Sequence, residues 1–232
     1  MKKITTMMTT ALVCGVMFTS CGGGSTAKSG LKNNEFFGAL PALHADFALA
    51  KEADKEELDK VLESGNLQRI TKTSEKIEKR AQERKEKFDA AVEAEWAKVQ
   101  GRSIPFSFSQ AAQETVLIQN IEITSAKIEG QDVHFHVIAK NDIPRSTFVP
   151  DSRRSWVKEN NQIFFRLVSK DGSTIYTGKV TIKDQNYTAG QPLLPDFGNT
   201  IFVRIFPSSA GLADFTHIEI ISEQEHKAQT RS

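Results

Sequence analysis

The sequence is short of cysteine, of net charge and of long hydrophobic runs. Its 232 residues hold 2 cysteines, at positions 14 and 21, and 30 basic against 29 acidic residues. A chain so close to neutral gives no global electrostatic case for binding nucleic acid. The uncharged run Ile4–Phe18 is about 15 residues long, below the ~20 that a membrane-spanning helix needs, and it is rich in threonine. No Gly-x-Ser-x-Gly, phosphate-cradling glycine loop or His-Glu-x-x-His occurs, so the motifs of serine hydrolases, nucleotide-binding enzymes and zinc proteases are missing. Carboxylate rows on exposed helices are solubilising by default and pick out no glycosidase pair. No catalytic residue, metal site or cofactor is assigned.

The N-terminus has a clear plan. Met1-Lys2-Lys3 is a short positive start, Ala11–Phe18 an apolar heart, and Thr19-Ser20-Cys21 a small-residue exit. These are the three parts of a secretory signal. Phe18-Thr19-Ser20-Cys21-Gly22 resembles the lipobox of bacterial lipoproteins. Phe18 departs from the commonest leucine, in the manner of Bacteroidetes-type lipoproteins. The resemblance implies a diacylglyceryl group on the Cys21 thiol, cleavage after residue 20, and Cys21 as the mature N-terminus. Two or three acyl chains anchor a protein durably, since each buried methylene contributes ~0.8 kcal/mol. Processing would remove Lys2, Lys3 and no acid, so 30 − 2 = 28 basic residues remain against 29 acidic, a net charge of −1. With Cys14 cleaved and Cys21 acylated, no thiol nucleophile, disulfide or cysteine-ligated zinc remains.

Residues 21–45 read as the lipidated cysteine and a tether, with an r.m.s. reach of roughly 25 Å for about 20 such residues. The apolar Phe36-Phe37 and Leu40-Pro41-Ala42-Leu43 could dock on the body. Residues 46–100 contain no proline and one glycine, Gly65. They predict a first helix from Asp46 to Ser64 and a second from Asn66 to Gln100. Ile70, Ile77, Ala81, Phe88, Val92, Trp96 and Val99 form one apolar stripe at helical period. Residues 46–63 carry seven acids and three bases, and residues 69–87 eight bases and four acids. Opposite charge and a short connection predict an antiparallel hairpin, unless both runs are simply solvated. Acids interleave through Lys76, Lys79, Arg80, Arg84, Lys85 and Lys87, which argues against nucleic acid.

From Gly101 the period changes to two. Candidate strands are Glu114–Thr124, Asp132–Lys140, Gln162–Lys170, Thr174–Asp184, Thr200–Phe206 and Phe215–Ile221, with turns at Glu129-Gly130-Gln131 and Lys170-Asp171-Gly172-Ser173. Val133, Phe135 and Val137 alternate on one face, as do Ile201, Val203 and Ile205. The fold class is α+β, a helical hairpin followed by an antiparallel β-sandwich over residues 101–222. These strands supply both faces of a core, so residues 101–232 are expected to fold alone. Ala126–Gly130 and Phe165–Gly172 are similar to immunoglobulin-like sandwich domains of small bacterial lipoproteins, over residues 114–221 and without the Cys…Trp…Cys core of antibody domains. Residues 223–232 are polar and expected to fray.

Two constellations are singled out. His134 and His136 share one strand face at a spacing that could hold a metal, but a third ligand would have to converge. They are read as a solvated face. Arg153, Arg154 and Trp156 lie in a loop and combine cation and aromatic, the chemistry of anion, sugar or protein recognition. The plainer reading has Trp156 covering the sandwich edge. Together these features predict a non-catalytic, membrane-anchored envelope lipoprotein that binds or scaffolds an envelope protein partner. The alternative is a carbohydrate- or peptide-binding accessory of an outer-membrane uptake system. Gly22 after Cys21, and no acidic cluster in Gly23–Gly30, imply the outer membrane with the body facing the periplasm.

Overall fold

The computed structural model describes residues 28–148, 160–206 and 210–230. Helix α1 (Leu40–Leu62) opens with Pro41 in its first turn, where a missing N–H costs nothing, and therefore starts earlier than the Asp46 expected. It ends at a turn through Gly65, whose φ of 63° suits glycine. Helix α2 (Leu67–Val99) begins at Asn66, whose side chain accepts the Arg69 N–H at 3.1 Å.

The two helices run antiparallel, as successive contacts show. Phe47 stacks on Phe88 with ring centroids 4.1 Å apart. Asp54 pairs with Arg84 at 2.6 Å and with Arg80, and Glu57 meets Arg80 at 2.7 Å and Lys76 at 3.4 Å. The opposite charges thus face each other across the seam. Burial pushes the Asp54 carboxyl up, but Arg84 and Arg80 outweigh it and hold it below the usual carboxylate range; Arg80 does the same to Glu57. A carboxyl with a depressed folded pKa stabilises fully above its unfolded value, and that stabilisation is lost as pH falls through the folded one. Amide exchange in α1 and α2 is therefore expected to accelerate before that of the sheets as pH drops below about 4. Asp54→Asn should weaken the hairpin at neutral pH and flatten this response; an unchanged acid profile would show that the seam is not held by charge.

The stretch expected to act as a tether is tied down from Ser29 onward. The Ser29 N–H donates to Asp46 Oδ1 at 2.6 Å. Asn34 is buried and donates from Nδ2 to the Phe215 carbonyl at 2.9 Å and the Ala213 carbonyl at 3.3 Å. Its Oδ1 accepts the Phe36 and Phe37 N–H groups at 2.9 and 3.2 Å. Phe36 and Phe37 then pack on Phe215, with centroids at 5.7 and 5.1 Å.

Seven strands follow: β1 (Phe106–Phe108), β2 (Ile121–Glu129), β3 (Asp132–Ala139), β4 (Gln162–Ser169), β5 (Thr174–Thr181), β6 (Ile201–Arg204) and β7 (Phe215–Ile221). They form two facing sheets, ordered β1-β7-β4-β5 and β2-β3-β6. All pairings are antiparallel except β1 on β7. Ile128, Val133, Phe135 and Val137 of one sheet and Phe165, Leu167, Ile218 and Ile220 of the other are buried between them. Phe37, Leu40, Trp96 and Val99 belong to the same core cluster. The base of the hairpin and the sheets are therefore one hydrophobic unit, and a fragment starting at residue 101 would lack part of its core.

Two expected elements are corrected. The strand from Glu114 is instead a pair of one-turn helices, α3 (Gln110–Gln113) and α4 (Val116–Gln119), before β2 begins at Ile121. Ser109 caps α3 by accepting the Ala112 N–H at 3.1 Å, and Val116-Leu117-Ile118 has no alternation to hold it in a sheet. The tail is not frayed over residues 223–230 but forms helix α5 (Glu223–Thr230). Glu225 accepts the Ser222 N–H at 2.7 Å while Ser222 Oγ accepts the Glu225 N–H at 3.2 Å, a reciprocal capping box. Helix α5 lies on the outer face of the four-stranded sheet, with the His226 ring 5.0 Å from that of Phe164.

Candidate binding face

The site is built on β6. From Ile201 to Phe206 the residues alternate strictly between buried and exposed. Ile201, Val203 and Ile205 enter the core, which leaves Phe202, Arg204 and Phe206 in a row on the opposite side. Strand β6 is an edge strand, paired only with β3 among the described residues. Its outward side chains stand at the rim of the open face of the smaller sheet.

The row is braced from below and left open above. His134, opposite Phe202 in the β3–β6 register, lies nearly parallel to the Phe202 ring at 5.7 Å. Thr200 Oγ1 is 3.2 Å from His134 Nδ1, and Glu129 is 3.6 Å from the same atom. The Arg204 guanidinium sits 5.9 Å from the Phe202 ring centre and 3.4 Å from Asp132, yet its side chain is 63 % exposed. Tyr176 from β5 meets Phe206 at 5.4 Å. Phe202, Tyr176 and Phe206 keep 37, 39 and 45 % of their surface, and nearby in sequence Phe197 keeps 86 %. Aromatic and arginine side chains carry most of the energy in recognition surfaces, because they bury large area and offer directed contacts. An exposed row of this kind is a candidate interaction surface.

The histidine pair is accounted for separately. His134 and His136 do share the outward face, but His136 Nδ1 contacts Thr124 Oγ1 at 2.6 Å while His134 is held by Thr200. Among the described residues no three histidine, cysteine, aspartate or glutamate side chains gather as a metal site. Cys21, Arg153, Arg154 and Trp156 lie outside the described residues. Surface hollows lie elsewhere among the described residues. One of about 320 Å³ opens beside Val116, Ile118, Gln162 and Phe164, and one of about 450 Å³ beside Asn33, Glu35, Phe36 and Lys170. Under α5, burial pushes the His226 imidazole below its ordinary pKa, with Lys179 adding to the effect, and its Nδ1 has no hydrogen-bond partner among the described residues. No helix among the described residues is long and apolar enough to cross a membrane.

The β6 row escaped the sequence reading, although its signal was present. The alternation of Ile201, Val203 and Ile205 identified the inner face, and the row is its complement. What the sequence does not carry is that β6 lies at an edge. No protein-family model, no curated protein and no solved structure matches the chain.

Proposed function

We propose that the chain is a lipid-anchored envelope protein with a non-catalytic binding or scaffolding role, and that the Phe202–Arg204–Phe206 row receives an envelope protein partner. The observation that carries this reading is the exposure of Phe202, Arg204 and Phe206 in one row along β6, with Tyr176 of the other sheet exposed beside Phe206. An immunoglobulin-like sandwich is the fold we infer, and the strand order supports it. Strands β2-β3-β6 take the places of A-B-E, and β4-β7 those of C-F, in that topology. Strand β1 occupies the slot of strand G but runs parallel to its neighbour.

The anchor in this reading is Cys21, on the outer membrane with the body in the periplasm. Because the chain is bound to the body by Ser29, only seven residues, or eight Cα–Cα steps, separate it from Cys21. At ~3.3–3.6 Å per residue the body stays within about 28 Å of the lipid. Cys21→Ala is expected to abolish fatty-acid labelling and leave a larger, uncleaved precursor; a substituted protein still labelled and processed would defeat the anchor. The same aromatics favour a second reading, an uptake accessory taking a sugar or peptide at the cell surface. Protease treatment of intact cells separates the two, since a periplasmic body survives and a surface one is rapidly lost.

A further inference from the structure

The hairpin ends in two leucines that the turn does not require. Ser64 Oγ donates to the Val61 carbonyl at 2.6 Å, Gly65 takes the left-handed conformation and Asn66 caps α2, so residues 64–66 complete the turn. Leu62 and Leu67 flank it, 50 % and 78 % exposed. Arg69 and Lys72 follow on the first turns of α2, exposed and without an ion pair among the described residues; Glu75, three residues past Lys72, and Glu63, six before Arg69, are the acids that flank them in sequence.

The N-terminal chain returns toward this tip. From Asn34, held against β7, it runs back beside α1 until Ser29 meets Asp46. Leu62 lies sixteen residues beyond Asp46 on α1, about 24 Å along the axis at 1.5 Å per residue. The eight Cα–Cα steps from Ser29 to Cys21 reach about 28 Å at full extension. A lipid on Cys21 and the two leucines can therefore lie in one plane.

We propose that the hairpin tip is a second membrane contact. Leu62 and Leu67 enter the interfacial layer of the leaflet that holds the lipid, with Arg69 and Lys72 at the headgroup phosphates. This rests on lipidation of Cys21. Two leucines would not hold a free protein on a membrane, but the lipid supplies the high local concentration that makes a weak contact count. The hairpin then stands off the bilayer and carries the sheets, with the β6 row, away from the headgroups.

The mature lipidated chain offers no other thiol, so Leu67→Cys can carry a single NBD fluorophore. In vesicles of phosphatidylethanolamine and phosphatidylglycerol, its emission is expected to shift to the blue and to be lost when nitroxide-labelled lipid is included. Glu52→Cys, exposed midway along α1, should keep a water-like spectrum. A Leu67→Cys probe as water-like as the Glu52→Cys probe, on protein that floats with the vesicles and carries the lipid mass, would overturn the tip contact. So would an equal blue shift in unlipidated protein that starts at residue 22, free in buffer. Protein that does not float and labels at two thiols would remove the lipidation itself.

Discussion

Gly178→Ala is expected to lower the melting temperature by roughly 5–10 °C, a large effect for one methyl group on an edge strand. Gly178 faces Phe165 in the β4–β5 register, and the phenyl ring lies over it. A Cβ built at Gly178 would sit 2.4 Å from Phe165 Cζ and within 3.1 Å of both Cε atoms. The ring is 5 % exposed, and the apolar gap beside it holds only about 10 Å³, so it cannot swing aside freely. Overpacking of this kind costs about 1–3 kcal/mol, and ~2–4 °C per kcal/mol is typical of a chain this size. The cause can be isolated by a double-mutant cycle. In a Phe165→Leu background the same alanine should cost much less, because the clashing atoms are gone. An additive result would assign the loss to strand propensity instead.

Asn34→Ala is expected to be at least as severe, with a fall of roughly 6–12 °C at the same ~2–4 °C per kcal/mol. One buried amide bonds two carbonyls near the start of β7 and two N–H groups of the Phe36–Phe37 turn. Removing it strands these groups, at about 1–3 kcal/mol for each left buried and unsatisfied. It also releases the turn that sets Phe36 and Phe37 against Phe215. Asn34→Asp is the sharper variant. It keeps the acceptor but turns a carboxylate toward the carbonyls of Ala213 and Phe215, and should melt no higher than Asn34→Ala. Wild-type melting of both variants would mean that the N-terminal segment is not part of the folded unit.

These two residues also show where sequence reading stopped. The helices were legible because their information is local: Gly65 ends one, Asn66 starts the next, and the opposite net charges of the two runs suggested that they face each other, as Asp54 and Glu57 do with Arg80 and Arg84, though the individual pairs were not legible. The strands around Val133–Val137 and Ile201–Ile205 were legible by alternation. Asn34, one polar residue in a glycine- and lysine-containing stretch, gives no sign that it will meet β7, 181 residues away. The parallel pairing of β1 with β7 is equally non-local. Two misses were avoidable. Ser222-x-x-Glu225 is a capping box written in the sequence, and it starts α5 where a frayed tail was expected. Gly178 inside a β-branched run is the usual mark of a close approach.

Photo-crosslinking in living cells reads out whether a partner sits on the exposed row of β6. A benzoylphenylalanine at position 202 or 206 replaces one aromatic with another and leaves the core face of the strand untouched. Lys140, exposed just beyond β3 away from the row, serves as the control. Positions 202 and 206 are expected to give one discrete adduct of the same mass, and position 140 none. No adduct from either phenylalanine position, or equal adducts from all three, would contradict a partner on that row.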